Sequence, residues 1–136
     1  MSVSIQALSE NISDNPELEA DFGISLYITV NGKALLLDVG SRGKCLDNSK
    51  KLGIDLSKLD AIILSHGHFD HTDGLVYLIE NGITGVPVYF NRYFFCERYW
   101  CKKEDGDYYF PTMSGISPQY LQRNHIQFIG VCSDIY

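Results

Sequence analysis
Three of the chain's four histidines fall within six consecutive positions, in the pattern His66-x-His68-x-Asp70-His71. At this composition a chance match has a probability on the order of a few in ten thousand. The run directly follows Ala61-Ile62-Ile63-Leu64, an apolar stretch too short for a helix and suited to a strand buried on both faces. It leads into Thr72 to Glu80, where Leu75, Leu78 and Ile79 recur at helical spacing before Asn81-Gly82 closes the helix. The cluster therefore sits on a strand-to-helix loop, which calls for an α/β (α+β) fold.

Imidazole and carboxylate are the ligand types of zinc and similar first-row ions, and a loop can turn His66 and His68 toward a common point. Asp70 and His71 are adjacent, so on a regular helix their side chains point about 100° apart and serve different positions. Two neighbouring metals suit the run better than one. Gly67 leaves room between the first two candidate ligands. Asp73-Gly74 follows at the helix mouth, where free amides and the positive dipole end favour an anion. The fourth histidine, His125, has no partner nearby in sequence and reads as a surface or strand-end residue.

Upstream, Ser2 to Leu8 alternates as a first strand and the acidic stretch from Ser9 to Phe22 reads as a loop. Ile24 to Val30 and Lys33 to Asp38 are apolar runs separated by Asn31-Gly32, the pair favoured in type I′ turns, and predict a hairpin. The second strand runs into the loop Asp38-Val-Gly40-Ser-Arg-Gly43, followed by a helix through Cys45 to Leu52 that stops at Gly53. Downstream, Val86 to Phe90 predicts a strand with Pro87 at its start or on an edge. Ser117 to Leu121 suggests a short helix, and His125 to Val131 a last strand. Tyr89 to Phe110 holds ten of the 17 aromatic residues, interleaved with Arg92, Arg98, Lys102 and Lys103. That stretch is either a hydrophobic cluster under a long loop or a wall for a flat anionic substrate.

Ser65-His-Gly-His-Phe-Asp-His71 after an apolar strand resembles the His-x-His-x-Asp-His motif of the metallo-β-lactamase superfamily, and Leu35-Leu-Leu-Asp38-Val-Gly40 resembles its upstream strand ending in aspartate and glycine. Gly23 to Leu75 is most similar to the branch of dihydropterin-methyl-ribofuranosylaminobenzene 5′-phosphate synthase-like proteins. The resemblance implies that His66 and His68 bind one metal and that Asp70 and His71 bind a second, with Asp70 also the candidate for proton transfer. Asp38 is implied as a supporting residue that hydrogen-bonds the loop. The family commonly has two glycines where this chain has Asp73-Gly74.

The superfamily fold is an αββα sandwich of two similar halves, and the resemblance implies the N-terminal half: a mixed β-sheet with helices on one face. The downstream half normally supplies a third histidine for the first metal, a bridging aspartate and a further histidine for the second. After His71 only His125 offers an imidazole, and Asp134 lies two residues from the C-terminus. The expectation is one partial domain over residues 1–136, a truncated dinuclear metal-dependent hydrolase that is inactive or weakly active alone, with Zn2+, or Mn or Fe, as cofactor. The alternatives are a small non-catalytic protein that binds metal or a partner, or half of a split or dimeric site completed by another chain. The implied substrate is a small molecule, phosphorylated or pterin-like. Self-association or a complementing C-terminal chain is expected to cover the sheet face that the missing half would cover.

A net charge of −6 without a Lys/Arg-rich block gives no argument for a nucleic-acid partner, and no apolar run has the length of a membrane span. Met1-Ser-Val-Ser-Ile-Gln has no basic region followed by an apolar core, so a cytoplasmic protein is expected. Cys45, Cys96, Cys101 and Cys132 show no Cys-x-x-Cys spacing and read as reduced thiols.

Overall fold
The computed structural model describes residues 2–96, 99–102, 108–111 and 114–131. Among the described residues eight strands and four α-helices follow in chain order: β1 (Val3–Ser9), β2 (Ser25–Val30), β3 (Lys33–Leu37), α1 (Lys44–Lys51), β4 (Ala61–Leu64), α2 (Phe69–Thr72), α3 (Gly74–Glu80), β5 (Val88–Asn91), β6 (Tyr99–Lys102), β7 (Tyr108–Pro111), α4 (Pro118–Arg123) and β8 (Phe128–Val131). Six strands form one mixed sheet in the order β1-β2-β3-β4-β5-β8, and β6-β7 is a separate antiparallel pair.

The antiparallel part of the sheet is a meander. Asn31 and Gly32 both take positive φ, 49° and 78°, the twist that lets β2 and β3 pair Val30 with Lys33 without splaying. From β3 onward the partners are parallel, Leu37 beside Ile63 and Ile63 beside Tyr89. Parallel pairing requires crossovers, here α1 between β3 and β4 and the α2–α3 segment between β4 and β5. Pro87 precedes β5, the strand-start position open to proline, and its carbonyl accepts the Ile62 amide at 2.9 Å.

The helices cover one sheet face. Leu36, Ile62, Leu64 and Val88 join Leu46 of α1, Leu75, Leu78 and Ile79 of α3 and Leu121 of α4 in one core cluster. Phe90, Phe94, Phe95 and Phe128 extend that core, with Phe90 and Phe128 stacked at 3.7 Å between ring centroids. Phe90, Phe94 and Phe95 of the aromatic stretch thus serve packing; Arg98, Lys103 and the Glu104 to Asp107 turn lie outside the described residues, as do Cys132 and Asp134.

Because side chains alternate along a strand, the opposite face carries Leu26, Ile28, Leu35, Leu37, Ile63, Tyr89 and Ile129, all only half-buried. Val3 and Ile5 on β1 are 56% and 61% exposed. Here the structure corrects the expectation that β4 is buried on both faces: Ile62 and Leu64 are buried, while Ile63 meets a face that no described element covers.

Two buried polar residues fix the loop before β2. Asn48, 2% exposed on α1, donates through Nδ2 to the carbonyls of Leu8 and Glu19, both at 2.8 Å, and accepts from the Glu19 amide at 3.0 Å. Asp21 accepts from the Ser41 hydroxyl and the Arg42 amide, each at 2.8 Å, and so ties this loop to the turn after β3. No helix among the described residues is long and apolar enough to cross a membrane. Cys45 is buried and donates to the Val39 carbonyl at 3.2 Å, whereas Cys96 is exposed.

Candidate metal centre
The parallel strands β3 and β4 end side by side, and the chain turns sharply at both ends. Beyond Leu37 the ladder continues for one bond, Asp38 N–H to the Ile63 carbonyl at 2.9 Å, and Asp38 then adopts φ 54°. That left-handed conformation is strained for a non-glycine residue and is held by what the side chain grips. Asp38 is 2% exposed; Oδ1 accepts the Ser65 amide at 2.8 Å, and Oδ2 accepts the Ser65 hydroxyl at 2.6 Å and pairs with His71 Nδ1 at 2.7 Å. One buried carboxylate therefore grips both ends of the histidine loop.

Backbone contacts complete the loop. The Val39 amide donates to the His71 carbonyl at 2.9 Å, and the Thr72 hydroxyl donates to the His68 carbonyl at 2.8 Å. Gly74 follows at the start of α3 and donates its amide to the Gly40 carbonyl at 2.9 Å. A Cβ at Gly74 would stand 1.9 Å from the Val39 carbonyl oxygen, so this approach admits glycine alone. The helix expected from Thr72 to Glu80 begins instead at Gly74 as α3, with α2 a separate turn before Asp73, because the Gly74 amide bonds the Gly40 carbonyl rather than the preceding turn. The same bond removes a free amide from the helix mouth, and Asp73 brings a carboxylate to it. The expected anion position there is not formed.

On the far side of the loop, Gly23 (φ 105°) lies against the Asp70 backbone, and a Cβ there would stand 1.6 Å from the Asp70 carbonyl oxygen. Phe22 stacks on Phe69 with centroids 6.0 Å apart.

Within this frame the candidate ligands converge. His66 Nε2 lies 3.0 Å from His68 Nδ1, and His66 Nδ1 lies 2.8 Å from the Ser65 hydroxyl. The His66 and His71 rings are 4.2 Å apart between centroids. Asp70 Oδ2 lies 3.5 Å from His71 Nε2. Ligand atoms of Asp38, His66 and His71 all lie within 4.8 Å of one another, a grouping that differs from the two pairs assigned on sequence because it includes Asp38. Both oxygens of Asp38 are already engaged, Oδ1 by the Ser65 amide and Oδ2 by the Ser65 hydroxyl and His71 Nδ1. His68 and Asp70 stand at the edges of the trio, each within reach of one member.

Burial lowers the pKa of His66, and the nearby His71 and His68 rings lower it further. The neutral imidazole that this favours is the form that binds a metal. Three imidazoles and a carboxylate on a half-buried loop are a donor set that zinc accepts. A depression of about 530 Å3 bounded by Leu46, Lys50, Ile54 and Asn81 includes no residue of the histidine loop, so the site is identified by its chemistry. His125 is exposed between α4 and β8, apart from the cluster. Gly23 supports the site without a local sequence signal, since its role arises from close approach to the Asp70 backbone, distant in the chain.

The sequence profile described as the metallo-beta-lactamase superfamily matches residues 19–93, more than half of the chain. An uncharacterised protein of Methanocaldococcus jannaschii is 38% identical over 80 residues, 59% of this chain and 31% of that protein. The 7,8-dihydropterin-6-methyl-4-(beta-D-ribofuranosyl)-aminobenzene-5′-phosphate synthase of the same organism is 34% identical over 93 residues, 64% of this chain and 32% of the synthase. A ribonuclease of Thermus thermophilus is 36% identical over 72 residues, 52% of this chain and 16% of the ribonuclease. The chain thus spans a third or less of the length of these relatives.

Proposed function
The chain belongs to the metallo-beta-lactamase superfamily, and from that premise we propose that it is the N-terminal, metal-binding portion of a dinuclear metal-dependent hydrolase. The observation that carries this reading is the gathering of four donors on one loop, His66 Nε2 3.0 Å from His68 Nδ1 and His71 Nε2 3.5 Å from Asp70 Oδ2, with Asp38 bonded to His71 beside them. In this reading His66 and His68 hold one metal, Asp70 and His71 hold the second, and Asp38 orients His71 by accepting from Nδ1. That tautomer leaves the Nε2 lone pair for the metal. Zinc is the first choice for this donor set, with manganese or iron as alternatives.

A metal pair in such a site polarises a substrate oxygen and lowers the pKa of bound water toward neutrality. The protein's own part is to favour the neutral form of His66, to fix the directions of the histidines through Asp38, Ser65 and Thr72, and to offer Asp70 as a group that can ligate or relay a proton. Two protein ligands per metal fall short of the three usual in a catalytic zinc site, so the isolated chain is expected to bind metal weakly and turn over slowly or not at all. Similarity to the dihydropterin synthase supports a phosphorylated or pterin-like small molecule as substrate. A ribonuclease is similar over a shorter stretch, so similarity in this region is shared by proteins of different activity.

A second reading, in which another chain or a second copy completes the site, is favoured by the open apolar face formed by Ile28, Leu35, Leu37, Ile63 and Ile129. The test is a zinc-loaded assay on a phosphodiester and an ester probe, with the molar mass followed by light scattering. Activity that disappears in His68→Ala and a mass above the monomer support a completed site. Activity that survives His68→Ala belongs elsewhere, and a strictly monomeric chain removes completion by a second copy.

A further inference from the structure
We propose that Asp73 is a positioning residue of the metal loop: it clasps the distant segment Ser114–Ile116 onto the Gly67 carbonyl and so sets the backbone between His66 and His68. The inference deepens the metal-binding reading of that loop and rests on it. Asp73 Oδ1 accepts from the Ser114 hydroxyl and from the Gly115 amide, both at 2.9 Å, across 41 and 42 residues of chain. The Ser114 amide donates in turn to the Gly67 carbonyl at 2.9 Å.

Gly67 is buried between two candidate ligands, and its carbonyl needs a partner that the loop itself does not supply. Segment 114–116 supplies it, provided that the segment is held in place. It is fixed at its far end, where Ile116 is 4% exposed in the core and the Ser117 hydroxyl caps α4 by accepting the Tyr120 amide at 3.1 Å. At its near end Asp73 provides side-chain acceptance to two successive residues. A carboxylate suits this because one oxygen can accept from both donors at once, and two donors held by one ionised acceptor are stronger than neutral pairs. Since Asp73 also terminates α2, immediately after Thr72 has bonded the His68 carbonyl, the clasp and the ligand loop share one rigid corner.

Glycine, the residue that the resemblance expects at this position, offers no acceptor. The clasp is therefore a feature of this chain's own residues.

The test compares the full chain with Asp73→Ala, Asp73→Asn and Ser114→Ala by hydrogen exchange without metal and by Co2+ titration followed through its absorption spectrum. Asp73→Ala is expected to speed exchange at Ser114 and across residues 66–72, and to weaken Co2+ binding about tenfold with an altered ligand-field band. Asp73→Asn keeps an acceptor oxygen and should restore Co2+ affinity to within about twofold, and Ser114→Ala should fall between the two. The proposal is overturned if Asp73→Ala exchanges and binds Co2+ like the parent chain, or if Asp73→Asn is as weak as Asp73→Ala. Should Asp73→Ala fail to fold, Ser114→Ala decides by the same two readouts. A parent chain that binds no Co2+ defeats the metal reading instead, while the exchange data still report on the clasp.

Discussion
Replacing Asp38 by asparagine separates the orienting role of this residue from mere packing. The two side chains have nearly the same shape. Oδ1 can keep its bond to the Ser65 amide, but Nδ2 would replace the oxygen that now holds the Ser65 hydroxyl and His71 Nδ1 at 2.6 and 2.7 Å. Both partners can accept from Nδ2, the imidazole only by moving its proton to Nε2. Three charge-assisted bonds become neutral ones, at a cost of about 1 kcal/mol each, part of which is returned because no charge is buried. A net loss of about 1–3 kcal/mol leaves the chain folded. Metal affinity suffers more directly: the Nε2 lone pair of His71 is now capped by a proton. A supporting carboxylate of this kind is worth 10- to 100-fold in affinity, or about 1.4–2.8 kcal/mol. The assay is zinc competition against a chelator, with 15N chemical shifts reporting the His71 tautomer and a thermal melt controlling for folding. If Asp38→Asn binds zinc within twofold of the parent and His71 retains its proton on Nδ1, the orienting role is refuted.

Two further outcomes follow from the buried polar groups. Asn48→Ala strips the Leu8 and Glu19 backbone groups of their partners and should cost about 1–3 kcal/mol in urea unfolding, with faster exchange over residues 9–22; a loss below roughly 0.5 kcal/mol would contradict the anchoring role. Burial pushes the Cys45 thiol from 9.0 up to about 12, so folding favours the protonated form, and the stability it confers is complete below pH 9 and declines as pH rises from there toward 12. Urea midpoints should therefore fall faster between pH 9 and 10 for the parent than for Cys45→Ala, and a thiol reagent should modify Cys96 in the native chain well before Cys45; equal labelling rates would show that the Cys45 environment is open.

Much of this architecture is legible before any coordinates, and the part that is legible is local. Asn31-Gly32 dictates its own turn, the apolar run at Ala61 to Leu64 its own strand, and the histidine loop its own chemistry, because each signal and its cause lie within a few residues. What the sequence hides depends on residues far apart in the chain. The need for glycine at position 23 arises from the Asp70 carbonyl, and the split between α2 and α3 from the carbonyl of Gly40. Asp73 carries a plausible local meaning at a helix mouth, but its actual partners are Ser114 and Gly115. The pairing of β6 with β7, Tyr99 opposite Pro111, is likewise masked on sequence by a stretch whose aromatic content suggests packing without indicating its form.

The most direct test of the central claim, that the loop from His66 to His71 is half of a dinuclear metal site, is metal content after saturation with zinc and exhaustive dialysis. The monomeric chain should retain well under two equivalents, and His66→Ala and His71→Ala should reduce even this. Two equivalents held tightly by the monomer would contradict the half-site, and zinc retained equally by both variants would contradict the loop as its location.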